Sequence, residues 1–159
     1  MKKLILISLL LVFSNIFSQT EKAKNIIYLD FGIFFARTIG AVGIGINYER
    51  MLNDNISLRA GINYGIFRGG VGDVAVGGAG ISLPLTVNFM TNNKNKFEAG
   101  IGGGPNINLW DSYSSGIRLL PAVRLGYRYQ EDGKGPIYRF GADLPANYYL
   151  STFGIGYHF

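Results

Sequence analysis

The sequence predicts an all-β chain: an eight-stranded antiparallel up-and-down transmembrane β-barrel behind a secretory signal. Three observations carry this. Period-two alternation of apolar with small or polar residues recurs eight times, with turn chemistry between the runs. Beyond the N-terminus no apolar stretch could cross a bilayer as a helix; Ile26–Ala36 comes nearest, and Asp30 interrupts it. The C-terminal octet sets Phe153, Ile155, Tyr157 and Phe159 on one face and Thr152, Gly154, Gly156 and His158 on the other. In water that row would be an exposed, aggregation-prone edge, whereas in a bilayer lipid solvates it and the first strand pairs with it.

Met1-Lys2-Lys3, the apolar run Leu4–Phe13 and Ile16-Phe17-Ser18 form a signal segment over residues 1–18, leaving residues 19–159 as one barrel domain. The first strand is expected over Asn25–Ala36, with Ile27, Leu29, Phe31, Ile33 and Phe35 on its apolar face. The second, Gly40–Met51, shows Val42, Ile44, Ile46 and Tyr48, and Leu52–Asn55 turns the chain. The third, Ile56–Phe67, shows Ile56, Leu58, Ala60, Ile62, Tyr64 and Ile66, and the glycine-rich Arg68–Ala75 is expected as a link. The fourth, Val76–Met90, shows Ile81, Leu83, Leu85, Val87 and Phe89 before the polar turn Thr91–Asn95. Lys96–Asn106 is the fifth, showing Phe97, Ala99 and Ile101. Ile107–Gly116, with the lone Trp110 and Tyr113, is expected as the longest loop and the one plausible contact patch. The sixth, Ile117–Gln130, shows Leu119, Val123, Leu125, Tyr127 and Tyr129. Pro136–Leu144 and Tyr148–Phe159 complete the set.

Alternation alone does not say which face meets lipid. The other face decides it. A water-facing sheet carries lysine and glutamate along its length, yet every lysine after the signal (Lys22, Lys24, Lys94, Lys96, Lys134) lies in a terminus, a turn or a strand edge. The non-apolar face is instead Gly, Asn, Ser and Thr with a few charges, which suits a narrow lumen short of volume. The apolar rows therefore face lipid. Tyr48, Phe89, Phe97, Tyr127, Tyr129, Tyr138, Tyr157 and Phe159 gather toward the short-turn end, and Phe35, Tyr64 and Tyr149 toward the other, as two girdles.

Eight inward charges remain: Asp30, Glu49, Glu98 and Asp143 against Arg59, Arg124, Arg128 and Arg139. Enclosed charges are costly unless paired, and arginine bonds carboxylates bidentately, so the parity predicts an interlocked network that closes the lumen. A gated or ion-selective pore is the functional alternative.

Catalytic chemistry is not expected. The single His158 sits beside the C-terminus, and with no cysteine there is neither a disulfide framework nor a His/Cys metal site. No cofactor is expected: the glycine runs Gly40–Gly45 and Gly100–Gly104 are not followed by the helix a phosphate-binding loop needs. Removing Lys2 and Lys3 from the 15 basic residues leaves 13 against 10 acidic, which takes away the argument for a nucleic-acid partner.

On Ile46–Arg50 with Ser57–Gly61, on Arg124–Gln130, and on the octet with Thr152, Gly154, Tyr157 and Phe159 in the places of a C-terminal assembly signal, the chain resembles small outer-membrane β-barrels of Gram-negative bacteria. Those are the outer-membrane protein X and protein A transmembrane-barrel type. The resemblance implies a monomer in the outer membrane, contact with its lipids and lipopolysaccharide, and insertion by the barrel-assembly machinery. It implies a non-enzymatic role in envelope structure or surface contact. A small channel for ions or apolar solutes is the first alternative and a lipid A-modifying enzyme the second.

Overall fold

A computed structural model describes residues 25–36, 39–71, 74–111, 116–131, 135–144 and 151–159. The expected signal segment, Lys22, Lys24, Tyr113, Lys134, Tyr148 and Tyr149 lie outside these. The described residues form nine antiparallel strands: β1 (Asn25–Ala36), β2 (Ile39–Met51), β3 (Ile56–Val71), β4 (Val74–Ser82), β5 (Leu85–Met90), β6 (Asn95–Asp111), β7 (Gly116–Gln130), β8 (Gly135–Leu144) and β9 (Ser151–His158). β3 and β6 each pair with both β4 and β5, the other strands pair in chain order, and β1 pairs with β9, so the sheet closes on itself.

β4 and β5 are one wall strand, which is why the ring has eight members. Ser82 pairs Asn63 and Leu85 pairs Ala60 on one side, while Ser82 pairs Asn106 and Leu85 pairs Gly103 on the other, so the register does not change across the break. Pro84 has no N–H to give the ladder. The sheet stays joined because Leu83 N donates to Pro105 O and Gly61 N donates to Pro84 O.

Two expected links are largely strand. Val71 pairs Val74 and Gly70 pairs Ala75, so the described residues of the expected link Arg68–Ala75 lie in the paired strands β3 and β4. β6 likewise runs to Asp111 and places Trp110 opposite Ala79, across a bulge, rather than in a loop. Glycine breaks a strand pattern on paper, but a backbone already aligned by its neighbour continues the ladder. β3 and β6 have 16 and 17 residues, more than the ~9–11 a tilted strand needs to cross a bilayer. Their surplus lies away from the short turns.

The turn end is built from side-chain caps. Asn53 Oδ1 accepts hydrogen bonds from the N–H groups of Asn55 (2.9 Å) and Ile56 (2.8 Å), and Thr91 Oγ1 accepts one from Phe97 N at 3.0 Å. Two outward tyrosines are tied to strand-end asparagines: Tyr48 donates to Asn25 Oδ1 at 2.8 Å and Tyr127 to Asn95 Oδ1 at 2.6 Å.

The apolar rows face outward. Ile46, Ile62, Ile101, Leu125 and Phe140 are all more than 60% exposed, while Asp30, Glu49, Glu98 and the four predicted arginines are buried. A water-soluble barrel would have the opposite polarity. The molecule is thus an eight-stranded transmembrane β-barrel whose belt is solvated by hydrocarbon.

Several glycines make room for inward polar groups. A Cβ on Gly61 would collide with the Asn47 amide, one on Gly154 with the Asp30 carboxylate, and one on Gly156 with the Tyr28 side chain. Small residues on one strand admit large ones from the next, as the narrow lumen requires.

Candidate functional site: the charged lumen

The site is assembled by register. On β2–β3, Glu49 stands opposite Arg59; on β7–β8, Arg124 stands opposite Asp143. Arg128 stands opposite Arg139, a like-charge pair that destabilises a sheet unless acid lies between. Glu98 from β6 and Glu49 from β2 supply it. Arg128 Nη2 donates to both Glu49 oxygens, at 2.8 and 2.7 Å, and Arg128 Nε donates to Glu98 Oε2 at 3.1 Å. Arg139 Nη2 donates to Glu98 Oε1, and its Nη1 lies 3.6 Å from Glu49 Oε2. Two arginines and two glutamates thus form a closed quadrilateral in which each cation touches each anion.

Above it, Arg124 links the quadrilateral to Asp143: its Nε lies 3.2 Å from Glu98 Oε1 and its Nη1 donates to Asp143 Oδ2 at 2.7 Å. A second branch joins Arg59 Nη2 to Asp30 Oδ2 at 2.7 Å. Asn47 braces it, accepting from Arg59 Nε at 3.1 Å and donating to Asp30 Oδ2 at 3.0 Å. Every one of the eight predicted charges sits in this lumen and in an ion pair. The pairs fall into two clusters, Asp30 with Arg59 in one and the other six charges in the second.

Tyr28 bridges the clusters, a role that charge parity alone did not single out. Its hydroxyl donates to Glu49 Oε2 at 3.0 Å. Its ring lies 4.3 Å from the Arg139 guanidinium carbon and 5.3 Å from that of Arg59, so one aromatic ring is shared between the tiers. The signal was present: Tyr28 has the parity of Asp30, two residues on. Removing its hydroxyl with Tyr28→Phe keeps the ring and takes one donor from a buried carboxylate. The expected loss is about 1.5–3 kcal/mol, read by urea unfolding in lipid vesicles, with the barrel still assembled.

The lumen also departs from the expected glycine-rich, polar lining. Ile26, Met51, Met90 and Ile137 point inward, are buried, and pack with Tyr28. Alternation is blurred at the foot of β1, where Ile26-Ile27-Tyr28-Leu29 is apolar on both faces.

Among the described residues no group of His, Asp and Glu could hold a metal ion. His158 is inward and buried at the turn end. Thr152 and Gly154 face the lumen, and Tyr157 and Phe159 face outward, half exposed. Phe159 and Asn25 exchange backbone hydrogen bonds at 2.9 and 3.1 Å, which closes the ring at its foot.

An apolar belt around a lumen that pairs four arginines with four carboxylates defines a small transmembrane barrel of outer-membrane type. The chain is similar to the crystal structure of the outer membrane protein OprG from Pseudomonas aeruginosa, with a TM-score of 0.56 and 12% identity over 86% of this chain and 96% of that one. A de novo designed transmembrane β-barrel aligns at a TM-score of 0.47 and 10% identity, over 88% of this chain and 97% of that one. The attachment invasion locus protein Ail of Yersinia pestis aligns at a TM-score of 0.40 and 10% identity, over 86% and 94%. No family model matches the sequence, and no curated protein does. The likeness to OprG is one of fold.

Proposed function

We propose that this protein is a non-enzymatic integral barrel of a Gram-negative outer membrane, closed to solutes, serving envelope structure or surface contact. The observation that supports this best is the lumen. Four arginines and four carboxylates are mutually paired across it at mid-wall and below, and an eight-stranded barrel barely holds its own side chains. Charges held this way would leave no continuous water column, and their pairing supports a packing role over a catalytic one. A fold by itself does not name a role, so the reading rests on this packing.

The belt would contact outer-membrane lipids and, on its outer half, lipopolysaccharide. Thr152, Gly154, Tyr157 and Phe159 would be read by the barrel-assembly machinery before β9 pairs with β1. A ring without an unpaired closing strand at its foot favours a monomer. The test is planar-bilayer recording on refolded protein at neutral pH: a flat baseline is expected, and steady unitary conductance would replace this reading with a channel.

A further inference from the structure

The ion pairs do not form the lowest layer of the lumen. Beneath them Ile26, Met51, Met90 and Ile137 meet from four strands. Each stands one step from a network charge: Ile26 pairs Glu49 and Met90 pairs Glu98 in register, Met51 is the next inward residue after Glu49, and Ile137 the one before Arg139. Exposure is 0% for both isoleucines, 5% for Met51 and 6% for Met90. With the buried, inward Gln130 beside Ile137 and His158 beside Ile26, these side chains form a largely apolar septum across the periplasmic mouth. Its four apolar side chains lie between the quadrilateral and the turn end, and hydrophobic constrictions block ions by dewetting.

The chain has three methionines: Met1, inside the expected signal, and the two in the septum. Both occupy the last strand position before a short turn, where water is nearest. The two turns are clasped by Asn55, which meets the Met90 backbone twice: Met90 N donates to Asn55 O at 2.7 Å, and Asn55 Nδ2 donates to Met90 O at 2.8 Å. Met51 and Met90 thus belong to one seal, and leucine would fill the same volume without an oxidisable sulfur.

We propose that Met51 and Met90 make the periplasmic seal an oxidation-sensitive gate. A hydroperoxide transfers one oxygen atom to each Sδ: the thioether is oxidised by two electrons to the sulfoxide, the O–O bond breaks, and each hydrogen peroxide leaves as one water. The sulfoxide is polar and accepts hydrogen bonds. It hydrates the septum and draws on the guanidinium groups of Arg128 and Arg139 above. The barrier to ions then falls. The inference rests on the closed-lumen reading.

The experiment is bilayer recording of the refolded barrel before and after hydrogen peroxide, with intact-mass measurement of the same sample. Untreated protein is expected to be silent. Treated protein should gain the mass of two oxygen atoms and show conductance steps, and methionine sulfoxide reductase should silence it again. Met51→Leu with Met90→Leu should stay silent through the same treatment, and Met51→Gln with Met90→Gln should conduct without oxidant. Conductance in untreated wild type would sink the closed-lumen reading itself. A silent untreated barrel that stays silent with both sulfoxides formed would sink the gate alone. So would methionines that resist peroxide in the folded barrel, or a leucine variant that opens like the wild type.

Discussion

Glu98→Gln is expected to destabilise the folded barrel by about 3–5 kcal/mol, the range for breaking a buried ion pair by removing one partner. Among the described residues, Glu98 is the one carboxylate shared by three arginines, Arg124, Arg128 and Arg139. Glutamine keeps the shape and one carbonyl acceptor but leaves four guanidinium groups facing three carboxylates. Arg128 and Arg139 are register partners, so the surplus charge falls on two cations already side by side. Asp143→Asn is the internal comparison. It touches Arg124 alone, from a side chain that is 10% exposed, so its effect should be clearly smaller. Urea unfolding in phospholipid vesicles measures both. Equal effects, or a Glu98→Gln loss under ~1 kcal/mol, would mean the quadrilateral is a contact pattern and does little to hold the barrel shut.

Ile46→Arg is expected to cost about 2–4 kcal/mol in a bilayer, the figure for arginine at the midplane of a barrel's lipid face. Ile46 lies halfway along the wall, between its register partners Leu29 on β1 and Ile62 on β3, and it is 61% exposed. All three side chains belong to the outward apolar row. If water rather than lipid covered this face, an exposed isoleucine could become arginine within about ±0.5 kcal/mol. The same substitution therefore separates a lipid-facing row from a water-facing one. Equilibrium unfolding from vesicles of defined thickness gives the number, and a neutral result would overturn the orientation on which everything else depends. Ile117→Arg, near the far end of β7, is the control. A long cation there reaches the headgroups, and the penalty should fall to about 0–1 kcal/mol.

Much of the wall was legible because a barrel strand has one simple rule. Parity places Asp30, Glu49, Arg59, Glu98, Arg124 and Arg139 inward, and each is buried. The turns at Leu52–Asn55 and Thr91–Asn95 were equally readable, since Asn53 and Thr91 are the capping residues those turns use. Where expectation and structure part, local chemistry was ambiguous. Gly69 and Gly70 look like a loop but lie in strand, paired with Val76 and Ala75. Trp110 has the surroundings of a loop aromatic, and a bulge in β6 sets it against Ala79 on the wall. Ile26, Ile137, Met51 and Met90 were passed over because an apolar residue in an apolar segment carries no mark of which side it serves.

From the sequence alone come the strand count, the face that meets lipid, and the eight charges that must neutralise one another inside. Each follows from period-two geometry and from the cost of leaving a charge unpaired in a narrow space. Only closure of the ring decides which acid meets which base. Glu49 and Arg128 are 79 residues apart, on strands that never pair, and they meet across the lumen. The same closure brings four apolar side chains together beneath them. A one-dimensional pattern records which way a side chain points; what it points at is set by curvature and shear, which no single strand contains.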